Sequence, residues 1–361
     1  MSTFGTVIKV SLFGESHGET IGLTIHNLPA NKPIDLKSIQ NALDKRKPTA
    51  SYHTKRQESD QFKVLSGLKD MKTTGAPFTA VIDNNDTDPS NYKDGVIRPG
   101  HADFPAFIKS EGTYDYRGGG HFSGRLTAPL IILGDIARQL LSNVSILVAS
   151  HIYKIHTLQA QSFYDSSINI ETLKTLQNSD FPTLNTKDKS QFINHIKAIQ
   201  KEQDSVGGVV ETIILNAPIG LGEPFFDSFE SLLGHLLYAI PAVKGVEFGR
   251  GFALTDMKGS EANDPLTIEA SQTQFTKNDM GGLLGGLSTG QPILFKTAIK
   301  PTPSISKPQK SINIKTKETL DLTIEGRHDP CIVPRALHVI NALSYYTLLE
   351  LVMRKEAKTW T

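Results

Sequence analysis

The chain has 361 residues, 38% of them hydrophobic and 21% charged, with a formal net charge of +1. That length can bury a sizeable core without disulfides or structural metal, and the near-zero charge excludes a global field that would recruit nucleic acid or an anionic membrane. The single cysteine, Cys331, excludes an internal disulfide and fits a reducing, cytoplasmic compartment.

Residues 1–10 lack the charged and apolar regions of a signal peptide, and no run of about 18 apolar residues reads as a transmembrane helix. Residues 6–12 and 22–28 read as strands flanking Gly14-Glu15-Ser16-His17-Gly18. Residues 35–45 read as a helix with Asp35 as N-cap, and 78–82 as a strand. The acidic stretch 83–94 lacks the register of a calcium loop and reads as a solvated turn. Residues 127–141 predict a helix: Thr127 can cap it, Pro129 fits only its first turn, and Leu130, Leu133, Ile136, Ala137, Leu140 and Leu141 share one side. The stretch at about 155–205 is polar and reads as a peripheral lobe of a single domain spanning 1–361, with a helix near 191–203. Strands are expected at 209–215, 243–254 and 293–298. Residues 332–353 are apolar nearly all round, which predicts a helix buried between layers. Glycine clusters at 118–124 and 281–290 argue for a mixed sheet-and-helix fold rather than a bundle.

The chain has no P-loop, no Gly-x-Gly-x-x-Gly fingerprint and no His-Glu-x-x-His. Four other segments concentrate the chemistry. In Gly14-Glu15-Ser16-His17-Gly18 the histidine sits at a strand end, able to give or take a proton, with Ser16 beside it to relay or orient; a hairpin turn with a surface histidine is the plain alternative. Arg98-Pro99-Gly100-His101-Ala102-Asp103 sets an arginine and a histidine around a turn, and the arginine can clamp a carboxylate or phosphate. Arg117-Gly118-Gly119-Gly120-His121-Phe122-Ser123-Gly124-Arg125 offers backbone N–H groups for an anion. Gly326-Arg327-His328-Asp329-Pro330-Cys331 places Asp329 either as the N-cap of the buried helix or as a base beside an arginine. The Gly-rich loop 281–290 and Lys300-Pro301-Thr302-Pro303-Ser304 suit a phosphate tail or a planar ring edge.

Together these segments resemble chorismate synthase, from Phe4 to about Met353, with 155–190 poorly matched. Glu58-Ser59-Asp60-Gln61, Gln203-Asp204-Ser205-Val206-Gly207-Gly208 and Ala242-Val243-Lys244-Gly245-Val246-Glu247 add to the likeness. The resemblance implies an α+β fold, a β-α-β sandwich with helices packed between antiparallel sheets, assembled as a homotetramer. It implies a lyase that converts 5-enolpyruvylshikimate 3-phosphate to chorismate by 1,4-anti elimination of phosphate, using reduced FMN without net redox change. By resemblance, His17 protonates the leaving phosphate, His101 serves the reduced flavin, and Ser16 and Asp329 relay a proton to it. Arg46, Arg98, Arg125 and Arg327 match substrate-binding arginines. His121, Phe122, Ser123, Pro241, Ala242, Gly285, Lys300, Pro301, Thr302, Pro303, Ser304 and Arg327 match cofactor-binding positions. Alternatives are a different flavoenzyme, such as a reductase for an anionic substrate, and a diverged, non-catalytic binder of FMN or a phosphosugar.

The sequence departs from the family where His121-Phe122 replaces an arginine and a serine, and where an arginine near Ser51 is missing. These departures point to an external flavin reductase or NADPH-dependent reductant as the source of reduced FMN.

Overall fold

A computed structural model describes residues 2–47, 59–88, 90, 92–166, 168–324 and 329–358. Two antiparallel five-stranded sheets enclose a layer of helices. The first sheet runs in the order Thr3–Phe4, Val10–Gly14, Thr20–Ile25, Phe78–Asp83, Phe62–Ser66. Every second residue of its central strands, Ile21, Leu23 and Ile25 beside Phe78, Ala80 and Ile82, is buried against the helices. The second sheet runs Val243–Phe248, Ile293–Ile299, Gly208–Leu215, Leu147–Ile155, Leu158–Gln159.

Two helices bridge the sheets. The helix Ala128–Leu140 packs on the first sheet, the helix Val333–Lys358 packs on the second, and the two pack on each other. Gly134 lets them approach: an added Cβ would stand 2.3 Å from Ala342 Cα. The C-terminal helix is long and apolar enough to cross a membrane by length and composition, but 78% of its most apolar window is buried inside the fold, as the apolar pattern of 332–353 predicted. It is a core helix. The helix Ile170–Asn178 covers the outer face of the second sheet, where Leu173 and Leu176 meet Ala149, Ile213 and Leu294. The helix Thr186–Lys201 buries Phe192 and Ile196 in the main core.

Several local expectations are corrected. The strand expected over 6–12 begins only at Val10, because the backbone N–H groups of Thr6, Val7 and Ile8 donate to the Glu350 carboxylate (2.7, 3.0 and 2.8 Å) rather than to a neighbouring strand. The strand expected over 243–254 ends at Phe248, where Gly249 turns the chain. Asp35 caps its helix through Lys37 N and Ser38 N as expected. Thr127 does not cap with its side chain; its hydroxyl donates to Gly124 O and accepts from Arg46. Asp329 is not the N-cap of the last helix, which starts at Val333; its carboxylate accepts from Arg335 Nη1 at 2.5 Å.

Candidate active site

A cavity of about 870 Å³ lies among the first two strands, the turn at 98–102, the loop 118–127, the C-terminal end of the helix Phe229–Tyr238 and the start of the last helix. Among the described residues, six cationic side chains reach its wall, Arg46, Arg98, Arg125, Lys244, Lys300 and Arg335, against two carboxylates, Asp60 and Asp329. A chain of net charge +1 has therefore concentrated positive potential in one concave place, which suits a polyanion.

Ser16 and His17 occupy the connection between the strands Val10–Gly14 and Thr20–Ile25. Ser16 is fully buried. Its backbone N–H donates to Gly120 O (3.1 Å), and its hydroxyl donates to Arg117 O (3.2 Å) and pairs with His17 Nδ1 (3.1 Å). That pairing holds the His17 ring through Nδ1. The ring edge faces Gly118, a cavity-lining residue. A Cβ at Gly118 would lie 2.1 Å from His17 Cε1, and its φ of 57° also favours glycine. Tyr92 meets the ring edge-on, with centroids 5.3 Å apart.

The turn at 98–102 closes with His101 N donating to Arg98 O (3.2 Å) and Gly100 at φ +72°, the conformation a type II turn requires. Buried Asp103 then gathers the cluster. It accepts from Arg98 N (3.0 Å), Nε (2.7 Å) and Nη2 (2.8 Å), and from His101 Nδ1 (2.7 Å). Burial by itself would raise the Asp103 carboxyl, but the hydrogen bonds and charges of Arg98 and His101 outweigh it and hold the group well below the usual carboxylate range. With Nδ1–H on Asp103, His101 turns Nε2 toward Gly119, where a Cβ would stand 2.9 Å away. The Arg98 guanidinium lies over Tyr92, 5.4 Å from the ring centroid, so Tyr92 joins the two histidine clusters.

Arg46 ends the helix Leu36–Arg46 and donates from Nη2 to Gly124 O (2.8 Å) and from Nε and Nη2 to Thr127 Oγ1 (3.1 and 2.9 Å). Arg125 donates to Asn84 Oδ1 (2.9 Å) and to Asp60, which Arg46 Nη1 also approaches at 3.6 Å. Burial, then the nearby Arg335, pulls Arg46 down to about 9, with Asp60 opposing; it stays charged at neutral pH. Among the described residues, two buried guanidiniums thus meet at the Asp60 carboxylate, a cluster that suits an anionic ligand.

On the remaining wall, Lys300 Nζ donates to Gly100 O (2.7 Å), tying segment 300–304 to the His101 turn. Burial, then repulsion from Lys244, lowers the Lys300 pKa. Thr302 Oγ1 donates to Asp329 O (2.7 Å). His121, Phe122, Ser123, Pro241, Ala242, Lys300, Thr302, Pro303 and Ser304 all line the cavity, and Pro301 lies within the same segment.

Among the described residues, three further expected positions do not line the cavity: Ser16 and His17 lie against its lining residue Gly118, and Gly285 is elsewhere. Gly285 sits in the hairpin Leu283–Leu284 and Leu287–Ser288, which Phe229 N fixes through Gly286 O (2.9 Å) at the N-terminal end of the helix Phe229–Tyr238. The cavity is at that helix's other end, about 15 Å away for ten residues. Arg327 lies outside the described residues, as do Glu58 and the tract around Ser51. His121 is also used differently from a free cation: Nδ1 donates to Gly14 O (3.1 Å) and Nε2 pairs with Ser2 Oγ (3.0 Å). Reading the sequence missed Asp60, Tyr92 and Arg335 as site residues, because each becomes part of the site only through long-range packing. Asp103 could have been found from its place two residues after His101.

The family model for chorismate synthase matches residues 8–353. A chorismate synthase of Dehalococcoides mccartyi is 43% identical over 356 residues, covering 98% of this chain and 97% of that protein. One from Methanocaldococcus jannaschii is 41% identical over 370 residues, at 98% and 97% coverage. A crystal structure of chorismate synthase superposes with a TM-score of 0.77 at 25% identity, covering 98% of this chain and 93% of that one. Fold, cavity chemistry and nearly full-length likeness agree, and the chain belongs to the chorismate synthase family.

Proposed function

We propose that this cavity carries out the 1,4-anti elimination of phosphate from 5-enolpyruvylshikimate 3-phosphate to give chorismate, with reduced FMN and no net redox change. The reading is carried by the convergence on one cavity of His101 and three buried arginines that the sequence keeps far apart, with His17 packed against the cavity-lining Gly118. The substrate bears two carboxylates and a phosphate. Arg46, Arg98, Arg125 and Arg327 are its binding residues, and their planar guanidiniums suit these groups. The carbon–oxygen bond breaks with its electron pair going to phosphate, and a ring proton leaves to form the new double bond. His17 protonates the departing phosphate, which lowers the charge developing on its oxygens. Ser16 orients His17 and, with Asp329, forms the path of the ring proton, while His101 stands on the cofactor side.

The residues fit FMN. The cavity is within the roughly 300–1,000 Å³ of small-molecule sites. It sets an apolar wall of Leu236, Ile240 and Val339 near the polar Lys300, Thr302 and Ser304, as a planar ring with an anionic tail needs. When bound, reduced FMN supplies transient electron donation that eases loss of phosphate. His121 holds the wall on this side rather than presenting a fixed charge, which is in keeping with FMN reduced by an external flavin reductase or NADPH-dependent reductant. The buried Cys331 thiol, pushed up to about 12 by burial, suits a reducing cytoplasm.

The chain is proposed to act as a homotetramer. Ile219, Phe225 and Phe226 are 68%, 88% and 92% exposed around the Gly286 hairpin, and a partner subunit would cover such a patch. Anaerobic incubation with reduced FMN and the enolpyruvyl substrate should yield chorismate and phosphate in equal amounts. Absence of both products would remove this reading. A second anaerobic trial supplies oxidised FMN and NADPH alone; flavin reduction at the rate of turnover would refute the need for an external reductant.

A further inference from the structure

We propose that Arg335 is a positioning residue for Asp329, fixing that carboxylate between the arginine cluster on one side and segment 300–304 on the other; the role rests on the reading of Asp329 as part of the proton path. Among the described residues, two side chains hold Asp329. Its backbone carbonyl accepts from Thr302 Oγ1 (2.7 Å), so its main chain is tied to the proposed cofactor wall. Its carboxylate accepts from Arg335 Nη1 (2.5 Å), so its side chain is tied to the first turn of the buried C-terminal helix.

Arg335 is placed to do this. It lies three residues into the long core helix, between the buried Pro334 and Ala336, and so moves only with the core. Its Nε points to Arg46 O at 3.4 Å, at the end of the helix that delivers Arg46 to the cavity. Its charge is the leading one acting on Arg46 after burial itself. One guanidinium therefore sets the spacing between the proposed substrate side, at Arg46, and the proposed proton path, at Asp329. A second, small pocket of about 120 Å³ lies on the far side of Arg335, lined by Lys45, Asn178 and His338 among others. Arg335 lines both spaces, so its side chain also forms the partition between them.

A misplaced catalytic group can cost on the order of 10²-fold even when the substrate still binds. Arg335→Gln should lower kcat by about 10- to 100-fold while substrate affinity, read by calorimetry with oxidised FMN present, stays within about threefold. Arg335→Lys should recover part of the lost kcat, because an ammonium can still reach the carboxylate without the fork geometry. In an Asp329→Asn background the Arg335→Gln change should cost almost nothing further, as for two residues acting as one unit. Thermal unfolding of each variant establishes that the folded protein is being compared. A large loss of substrate affinity in Arg335→Gln would make Arg335 a direct binding residue and overturn the proposal. Full additivity with Asp329→Asn would also overturn it, leaving the role of Asp329 intact. Near-normal turnover by Asp329→Asn alone would overturn both.

Discussion

His17 and His101 are both held through Nδ1, the first by Ser16 Oγ at 3.1 Å and the second by Asp103 at 2.7 Å. Each ring also meets a glycine where no side chain could fit: Gly118 lies against the Nδ1–Cε1 edge of His17, and Gly119 against Nε2 of His101. These pairings decide what each histidine can do, and they lead to two predictions. His17→Ala should lose roughly 10²–10⁴ in kcat, the range for a positioned proton donor, as measured by steady-state turnover with reduced FMN; near-normal turnover would return His17 to a structural turn. Asp103 yields a pH prediction. Its folded pKa lies below the unfolded value of about 3.9, so its contribution to stability is complete above that value and is lost as pH falls through the folded pKa. Asp103→Asn should therefore flatten the acid limb of stability, read as the urea midpoint from about pH 5 downward. The histidines and arginines were legible in the sequence because proton donors and guanidiniums stand out in glycine-rich loops. Asp60, Tyr92 and Arg335 were not, since an aspartate, a tyrosine or a helical arginine has no local mark of its destination.

At the scale of elements, the site depends on how the helical layer is fastened. Glu350, buried in the C-terminal helix, accepts three backbone N–H groups from residues 6–8 and one bond from Arg354 (2.8 Å). Burial alone would raise its pKa, yet the N–H groups of Val7 and Ile8, then Arg354 and Thr6, bring it below the usual value. This clasp anchors the chain just before the strand that leads to His17. Glu350→Ala leaves those N–H groups unsatisfied, at about 1–3 kcal/mol each when buried, and should lower stability by about 2–4 kcal/mol in chemical denaturation. Gly134 poses a contest of two effects. Alanine gains about 1 kcal/mol in helix propensity over glycine. Its Cβ, however, would stand 2.3 Å from Ala342 Cα, a backbone atom that cannot step aside, and overpacking of this kind costs typically about 1–3 kcal/mol. Gly134→Ala should therefore destabilise the protein, seen as a lower urea midpoint; a raised midpoint would refute the close packing. Periodicity and caps revealed most elements, including the buried last helix. The exceptions were places where a side chain took over a backbone group, as Glu350 does for residues 6–8.

For the whole molecule, the two sheets and the helices between them bring segments near residues 12, 46, 101, 125, 300 and 329 to one cavity. No sequence window contains that convergence, and here the resemblance to the family contributed what local pattern could not. The resemblance also carried Gly285 toward the cavity, whereas the hairpin that bears it is pinned at the far end of the helix Phe229–Tyr238. The same hairpin borders the exposed phenylalanines. Phe226→Asp should shift the assembly to smaller species in light scattering, and an unchanged mass would place the subunit contact elsewhere. The central claim is that the cavity eliminates phosphate while the flavin finishes as it began. The most direct test records the flavin spectrum and phosphate release together, anaerobically, with substrate in large excess over reduced FMN. The account predicts many phosphates released per flavin, with the flavin reduced at the end. Oxidation of one flavin for each phosphate released would contradict it.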